Sequence, residues 1–570
     1  MRTPSRLGLC LALLQSAFLC TGASTPRPQN SRANDTSSGP RLVVVLSVDS
    51  MIPEQLDRLR PWWTGGFRRL LEEGTVFTAA RLPYALTESA PGHASFGTGC
   101  LPATHGITRD ALIESGTGRQ QLCVADDSTR TISSYDWPVA ERMSASAVRL
   151  RRAGWAEALR EAWPRSRSIS ISGKASAAVL LAGRAPDLAL WWDSYGRGFV
   201  SSSAYCEALP GWLATWNADW AEHVRDWAWT AELPEAGTRT GADDRPGEAA
   251  VGGMPPVFPY PPPQLPEELG PRDQASLAGR VFGSPLMDRV VCDAAERAVV
   301  AEALGRDDEV DLLTLGLSAC GLLTAATGPY SLEVTDTLLR LDRELGELFE
   351  FLDRELGAEH WLVALSSDHG ILELPEADAR VQPGGVRLPV RARRQALQLL
   401  RSSLQQEFGR DFGANLTIPG DGVTFTELKP QAGEENSKAV NPALVRASAA
   451  QALETLPWVA GAYTREELMA AETDHQDSWL ALARASYHRD SGAEVELRLA
   501  HRHLLGILVG TRSGSPYPYD RRQPLILMGP GFAPGSSDAP ASSLDALPTV
   551  LGRLGRSRRA EADGVDLLGD

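Results

Sequence analysis

Cysteine is sparse in this chain: seven in 570 residues, none in a Cys-x-x-Cys spacing. A cysteine zinc site is therefore disfavoured. Cys10 and Cys20 fall in an opening apolar segment, leaving Cys100, Cys123, Cys206, Cys292 and Cys320. In an exported chain these permit one or two disulfides and leave an odd thiol, and scattered core cysteines with one disulfide is the expectation. Basic charge is also short. Against 72 Asp and Glu stand 56 Lys and Arg, a net charge of -16. Nucleic acid and anionic membrane are poor partners for such a chain, because both need clustered Lys and Arg. Beyond the N-terminus no run reaches the roughly 18 unbroken apolar residues of a membrane-spanning helix, so no transmembrane anchor is expected. No internal repeat is visible.

What is present begins with an export signal. Arg2 and Arg6 precede an apolar run from Leu7 to Leu19, and Thr21 and Ala23 are small residues where a signal peptidase would cut. Residues 1–23 are read as a signal peptide. Residues 24–40 are polar and rich in Pro, Ser and Asn, and are read as a flexible leader. The mature protein is expected to be periplasmic or extracellular.

Residues 41–570 read as one α/β domain. Leu42–Val48 (LVVVLSV) is a short, β-branched, continuous apolar run ending at Asp49. Such a run suits a strand buried on both faces. Trp361–Ser367 ends in Asp368-His369-Gly370, and Pro524–Met528 ends in a Gly-Pro-Gly turn. Between them, Glu333–Leu356 carries apolar residues at helical spacing, and Leu544–Gly555 reads as a last core helix. Strands alternating with helices point to a layered core around a mostly parallel sheet. Residues 190–285, rich in Trp and Pro, and residues 376–500 break that pattern and are read as cap insertions.

Ligands of open α/β sheets bind at the carboxyl ends of strands. Asp49 and the Asp368-His369 pair both stand there, and two carboxylates with an imidazole form a donor set that zinc accepts. Each alone is ordinary; a lone Asp after a strand is usually a turn or a cap. The segment Thr87-Glu88-Ser89-Ala90-Pro91-Gly92-His93-Ala94-Ser95 places a hydroxyl where a helix begins. Free backbone N–H groups at that point favour a phosphate, although an isolated Ser there reads as a plain N-cap. His93 and His105 are taken as structural. His501 and His503 could share a strand face, but exposed or core roles are the simpler reading.

In order, Asp49, Ser89-Ala90-Pro91-Gly92-His93-Ala94-Ser95, His105-Gly106-Ile107 and Ser367-Asp368-His369-Gly370 resemble the type I phosphodiesterase/nucleotide pyrophosphatase branch of the alkaline phosphatase superfamily. The exported bacterial phosphate-irrepressible alkaline phosphatases are the most similar group. The likeness continues through Leu180–Gly183, Gly305–Asp308, Gly328-Pro329-Tyr330-Ser331, Leu339–Asp342 and Gly514–Tyr517. It implies an alkaline-phosphatase-like core. By the resemblance, Asp49, Ser89, Asp368 and His369 would hold one zinc ion, with Ser89 as nucleophile.

The resemblance also exposes losses. The second metal of that family needs an Asp-x-x-x-His pair and a later His. The matching positions here are Gly321, Ala325 and Arg522. A phosphate-contacting Asn aligns with Asp110, and of a Lys-x-Arg clamp only Lys174 remains, with Ser176 in the Arg position. Arg522 could replace part of the lost charge, since a guanidinium forks onto phosphate oxygens. The expectation is a metal-dependent phosphoric-ester hydrolase with Ser89, Lys174 and Arg522 as catalytic groups and one zinc. The alternative is an inactive relative that serves as a binding or structural protein. Head-group transfer ranks last, because it usually comes with a membrane anchor. Substrate, ester class and oligomeric state are not legible.

Overall fold

The computed structural model describes residues 39–569, except 115–116, 135–143, 197, 233–241, 378–384, 418–420, 429–439, 471–478 and 558–559. The signal peptide and all but the last two residues of the leader lie outside these.

The run Leu42–Val48 forms a strand because it is apolar on both faces, and every one of its side chains is buried. Each apolar side chain so buried contributes about 1.5–3 kcal/mol. It pairs in parallel with Trp361–Ser366 on one side and Asp311–Leu317 on the other. Ser168–Ser172 and then Leu188–Asp193 extend the parallel block. Antiparallel Leu525–Met528 follows Trp361–Ser366, and shorter strands complete a ten-stranded sheet. The fold is thus α/β with a mostly parallel central sheet.

Register decides what meets at the carboxyl ends. Ser47 stands opposite Ser366, and Val48 opposite Leu317. Asp49 and Asp368, each two residues past the paired serines, therefore emerge at one height. The helix Ala319–Thr327 leaves the neighbouring strand, and Lys174 follows the next one. The long helix spans Leu332–Leu356, with the Ser331 hydroxyl accepting the Val334 N–H as its cap. It packs with the first strand in the main core.

The two irregular stretches behave differently. Residues 190–285 do not stand apart. Leu188–Asp193 and Gly198–Ser202 are strands of the main sheet. Trp192, Trp216, Trp220, Trp229 and Tyr260 all join the main core cluster. Trp192 packs edge-on against Trp220 at 4.8 Å and Phe199 at 5.3 Å. The tryptophans thus widen the core rather than line a cap. Residues 376–500 build a lobe with its own antiparallel sheet, ordered Ala414–Leu416, Gly422–Phe425, Val495–Leu499, Val459–Thr464. Helices Val390–Phe408 and Pro442–Glu454 close its separate core.

The disulfide expectation is corrected. All five cysteines are free. Cys292 and Cys320 fill the main core and Cys123 a smaller cluster, each acting as a small hydrophobe. No described helix is long and apolar enough to cross a membrane.

Candidate active site

The site forms where four adjacent parallel strands end. After Val48 the backbone turns sharply. Ser50 sits at φ 56°, in the left-handed region that L-residues avoid. The turn aims the Ser50 N–H at Asp368 Oδ1, 2.7 Å away, and the same oxygen accepts the His369 N–H at 2.9 Å. Two amides thus hold Asp368 and leave its Oδ2 free for other work.

The helix Ser89–Thr98 begins after Glu88, whose backbone is extended. All its residues beyond Ser89 are buried. It fits because its glycines permit close approach. A Cβ on Gly92 would lie 2.1 Å from the Asp368 carbonyl oxygen, and one on Gly97 2.1 Å from that of Leu180. Ser89 and His93, four residues apart, face one side of this helix. That face meets Asp49 and Asp368.

Five polar atoms converge. His93 Nε2 lies 3.4 Å from Asp49 Oδ1 and 3.8 Å from Asp368 Oδ2. All three are buried and lack any hydrogen-bond partner. His369 Nε2 lies 3.2 Å from Asp368 Oδ2 and 3.2 Å from Ser89 Oγ. The His369 ring is oriented by Nδ1, 2.7 Å from the Gly370 carbonyl. A carbonyl only accepts, so Nδ1 carries the hydrogen and Nε2 presents its lone pair. Ser513 Oγ is 3.3 Å from the same nitrogen.

Buried orphan atoms of this kind are costly unless something satisfies them. Donors about 2.0–2.1 Å from a tetrahedral zinc stand about 3.4 Å from one another, close to the spacings here. Among the described residues, Asp49, His93 and Asp368 form the one group of metal-binding geometry. The residues fit a zinc ion. His501 and His503 are not such a pair: His501 packs against Tyr517 and Tyr519, and His503 Nδ1 turns to the His501 carbonyl.

Lys174 Nζ donates to Asp49 Oδ2 at 2.8 Å. Burial would lower its pKa, but Asp49 and Asp368 push it up to about 12, so it is a fixed cation. Burial likewise opposes ionisation of Asp368, yet the charge of its neighbours, Lys174 among them, holds its carboxyl below the usual range.

Of the residues the sequence singles out, Asp49, Ser89, Lys174, Asp368 and His369 meet in this cluster. Arg522 pairs with Glu54, and its side chain is 55% exposed. Gly321 and Ala325 lie on one face of the Ala319–Thr327 helix, which packs directly on Asp49. A Cβ on Gly321 would stand 2.6 Å from Asp49 Cβ. Neither side chain offers a metal donor.

His93, expected to be structural, has its Nε2 in the orphan cluster. The signal was its four-residue offset from Ser89. His105 has partners of its own. Its Nε2 meets Ser95 Oγ at 3.1 Å, its Nδ1 accepts the Ile107 N–H, and burial lowers its pKa to about 3.

Residues 43–386, more than half of the chain, match the family described as type I phosphodiesterase / nucleotide pyrophosphatase. The alkaline phosphatase PhoV of Synechococcus elongatus is 29% identical over 557 residues, covering 96% of this chain and 96% of that protein. The alkaline phosphatase PafA of Elizabethkingia meningoseptica is 27% identical, covering 90% and 91%. The crystal structure of wild-type PafA superposes with a TM-score of 0.81 at 25% identity, over 94% of this chain and 99% of that one. With the strand-end cluster in place and the family matched across it, the chain belongs to the type I phosphodiesterase / nucleotide pyrophosphatase family.

Proposed function

We propose that this protein is an exported, metal-dependent phosphoric-ester hydrolase with Ser89 as nucleophile and a single zinc ion. The observation that carries it is the convergence of three orphaned buried atoms, Asp49 Oδ1, Asp368 Oδ2 and His93 Nε2, beside His369 and Ser89 Oγ. Asp49, Asp368 and His369 would hold the ion together with Ser89, and His93 joins them as a further donor. One ion is proposed because Gly321 and Ala325 supply no ligands to a second.

When bound, the ion supplies positive charge that favours the ionised form of the Ser89 hydroxyl at neutral pH. The chain's own groups do the rest. Ser89 Oγ bonds to phosphorus, the ester P–O bond breaks, and the alcohol leaves with a proton. Water then cleaves the phosphoserine and releases phosphate from a monoester, or the remaining phosphate monoester from a diester. Lys174, locked by Asp49, faces the non-bridging oxygens with a charge that needs no reorganisation. Lys174 carries that task, with Arg522, paired to Glu54 in this structure, as the second cation. Relatives named alkaline phosphatases support this activity class. Residues 1–23 support export through their basic start, apolar run and small-residue cut site.

The test is turnover of an aryl phosphate monoester and an aryl phosphodiester by zinc-loaded protein, with Ser89→Ala alongside. Activity that disappears in the variant upholds the reading. A folded, zinc-bearing protein with no turnover above Ser89→Ala overturns it and restores the alternative of an inactive binding protein.

A further inference from the structure

The chain carries a net charge of -16, yet one cleft in it is basic. The cleft has a volume of about 1150 Å³ and lies where residues 148–152 meet the lobe at His488 and Ser491. Arg119, Arg149, Arg151, Arg152 and Arg184 line it, against two carboxylates, Glu114 and Asp490. None of Asp49, Ser89, Lys174, Asp368 and His369 belongs to the lining, so the cleft is separate from the strand-end site.

The arginines are held in place without being neutralised. Arg151 lies along the bare backbone of Gly106, where an added Cβ would stand 2.9 Å from Arg151 Cδ. Its N–H donates to the His105 carbonyl at 2.9 Å, and its guanidinium pairs with Asp490 at 2.7 Å. Arg149 donates only to neutral oxygens, the Ala125 carbonyl and, at 2.8 Å, Gln121 Oε1. Glu114 Oε2 accepts the Thr117 hydroxyl at 2.8 Å. Arg119, Arg152 and Arg184 have no carboxylate partner among the described residues, and Arg152 Nε is buried with no hydrogen-bond partner. Four of the five guanidiniums thus lack an ion pair, and like charges gathered in this way repel until an anion joins them. A buried donor left unmade is a further cost that a ligand oxygen would remove.

We propose that this cleft binds, without hydrolysing it, a compact polyanion of linked phosphates. A guanidinium forks onto phosphate oxygens, and four of them without ion pairs match a ligand carrying several negative charges. Nucleic acid fits less well. No Trp, Tyr or Phe lines the cleft, so no base finds an aromatic face to stack on. Glu114 and Asp490 are exposed there and would repel a phosphate backbone running out of the cleft. The lining comes from the core and the lobe alike, so the ligand bridges the two and stabilises the folded state by binding it. This role needs no chemistry at Ser89.

Titration calorimetry with tripolyphosphate tests this, in zinc-loaded protein carrying Ser89→Ala as the parent. Arg119 and Arg184 are exposed, so Arg119→Glu with Arg184→Glu removes cleft charge and spares the core. The double variant should bind tripolyphosphate at least about tenfold more weakly than the parent. It should also lose the rise in melting temperature that tripolyphosphate gives the parent. Any chelation of zinc by the probe is common to both proteins and cancels in the comparison. Orthophosphate affinity should change by no more than about twofold, because the strand-end site lies outside the cleft. No binding by the parent, or equal tripolyphosphate affinity in parent and variant, overturns the proposal. An equal loss for orthophosphate also overturns it, since the variant would then act on the strand-end site. An oligouridylate that binds through the same two arginines more tightly than tripolyphosphate would replace the compact anion with nucleic acid.

Discussion

His93 Nε2 stands 3.4 Å from Asp49 Oδ1, and neither atom has a hydrogen-bond partner. That spacing is too long for a good N–H···O bond and suits two donors sharing a cation. His93 is otherwise tied only through Nδ1, 3.3 Å from Ser47 Oγ. His93→Ala should therefore weaken zinc binding at least about tenfold, the scale seen when groups supporting a metal are removed. A competitive chelator titration measures this. Unchanged zinc affinity with lowered stability would return His93 to a packing role.

Gly321 makes the lost metal site hard to restore. With its Cβ position 2.6 Å from Asp49 Cβ, Gly321→Asp must push Asp49 or the Ala319–Thr327 helix. The triple variant Gly321→Asp, Ala325→His, Arg522→His should bind no second zinc by elemental analysis. It should also lose about 1–3 kcal/mol from overpacking, read in urea unfolding. Two zinc ions per chain with unchanged stability would contradict the close packing.

Arg109 joins the lobe of residues 376–500 to the nucleophile helix. It is buried, bonds Asp421 at 2.8 Å and Glu496, and approaches Glu88. The surrounding carboxylates raise its pKa despite burial, so it stays charged. Arg109→Met leaves buried Glu496 without its cation and Asp421 with only Arg512, 3.7 Å away. The expected cost is about 3–5 kcal/mol in thermal or urea unfolding. Proteolysis should show the lobe released before the core.

Glu333 gives stability a pH dependence. It is buried, its Oε1 accepts the Tyr260 hydroxyl at 2.9 Å, and burial raises its pKa to about 7. The folded state then holds a proton that the unfolded chain releases near its ordinary value of 4.5. Its contribution is full below that value and is lost as pH rises through about 7. Glu333→Gln should remove this slope. Melting temperatures from pH 5 to pH 8 should fall more for wild type than for the variant, and parallel curves would rule the carboxyl out.

The strands were legible because they are buried on both faces. Leu42–Val48 and Trp361–Ser366 are continuous apolar runs, and a short run of that kind has few alternatives to a central strand. The Glu333–Leu356 expectation differs from the observed helix by one residue, since helical periodicity is a local property. The Trp-rich stretch misled because aromatic residues pack without period. Only their contacts show that they widen the main core.

Local sequence pattern marked Asp49, Ser89, Asp368 and His369 beside strand ends and a helix start, and the family resemblance added Lys174 and Arg522. It also determined that Gly321 and Ala325 bring no ligand. Tertiary structure decided the rest. Sheet register put Asp49 and Asp368 at one height, and packing on Gly92 turned His93 toward them. Glu54 paired with Arg522, Asp110 closed on Ala90, and the cysteines stayed apart. The physical reason is range: residue pattern encodes burial within a turn or two, whereas the direction of a side chain depends on neighbours tens or hundreds of residues away.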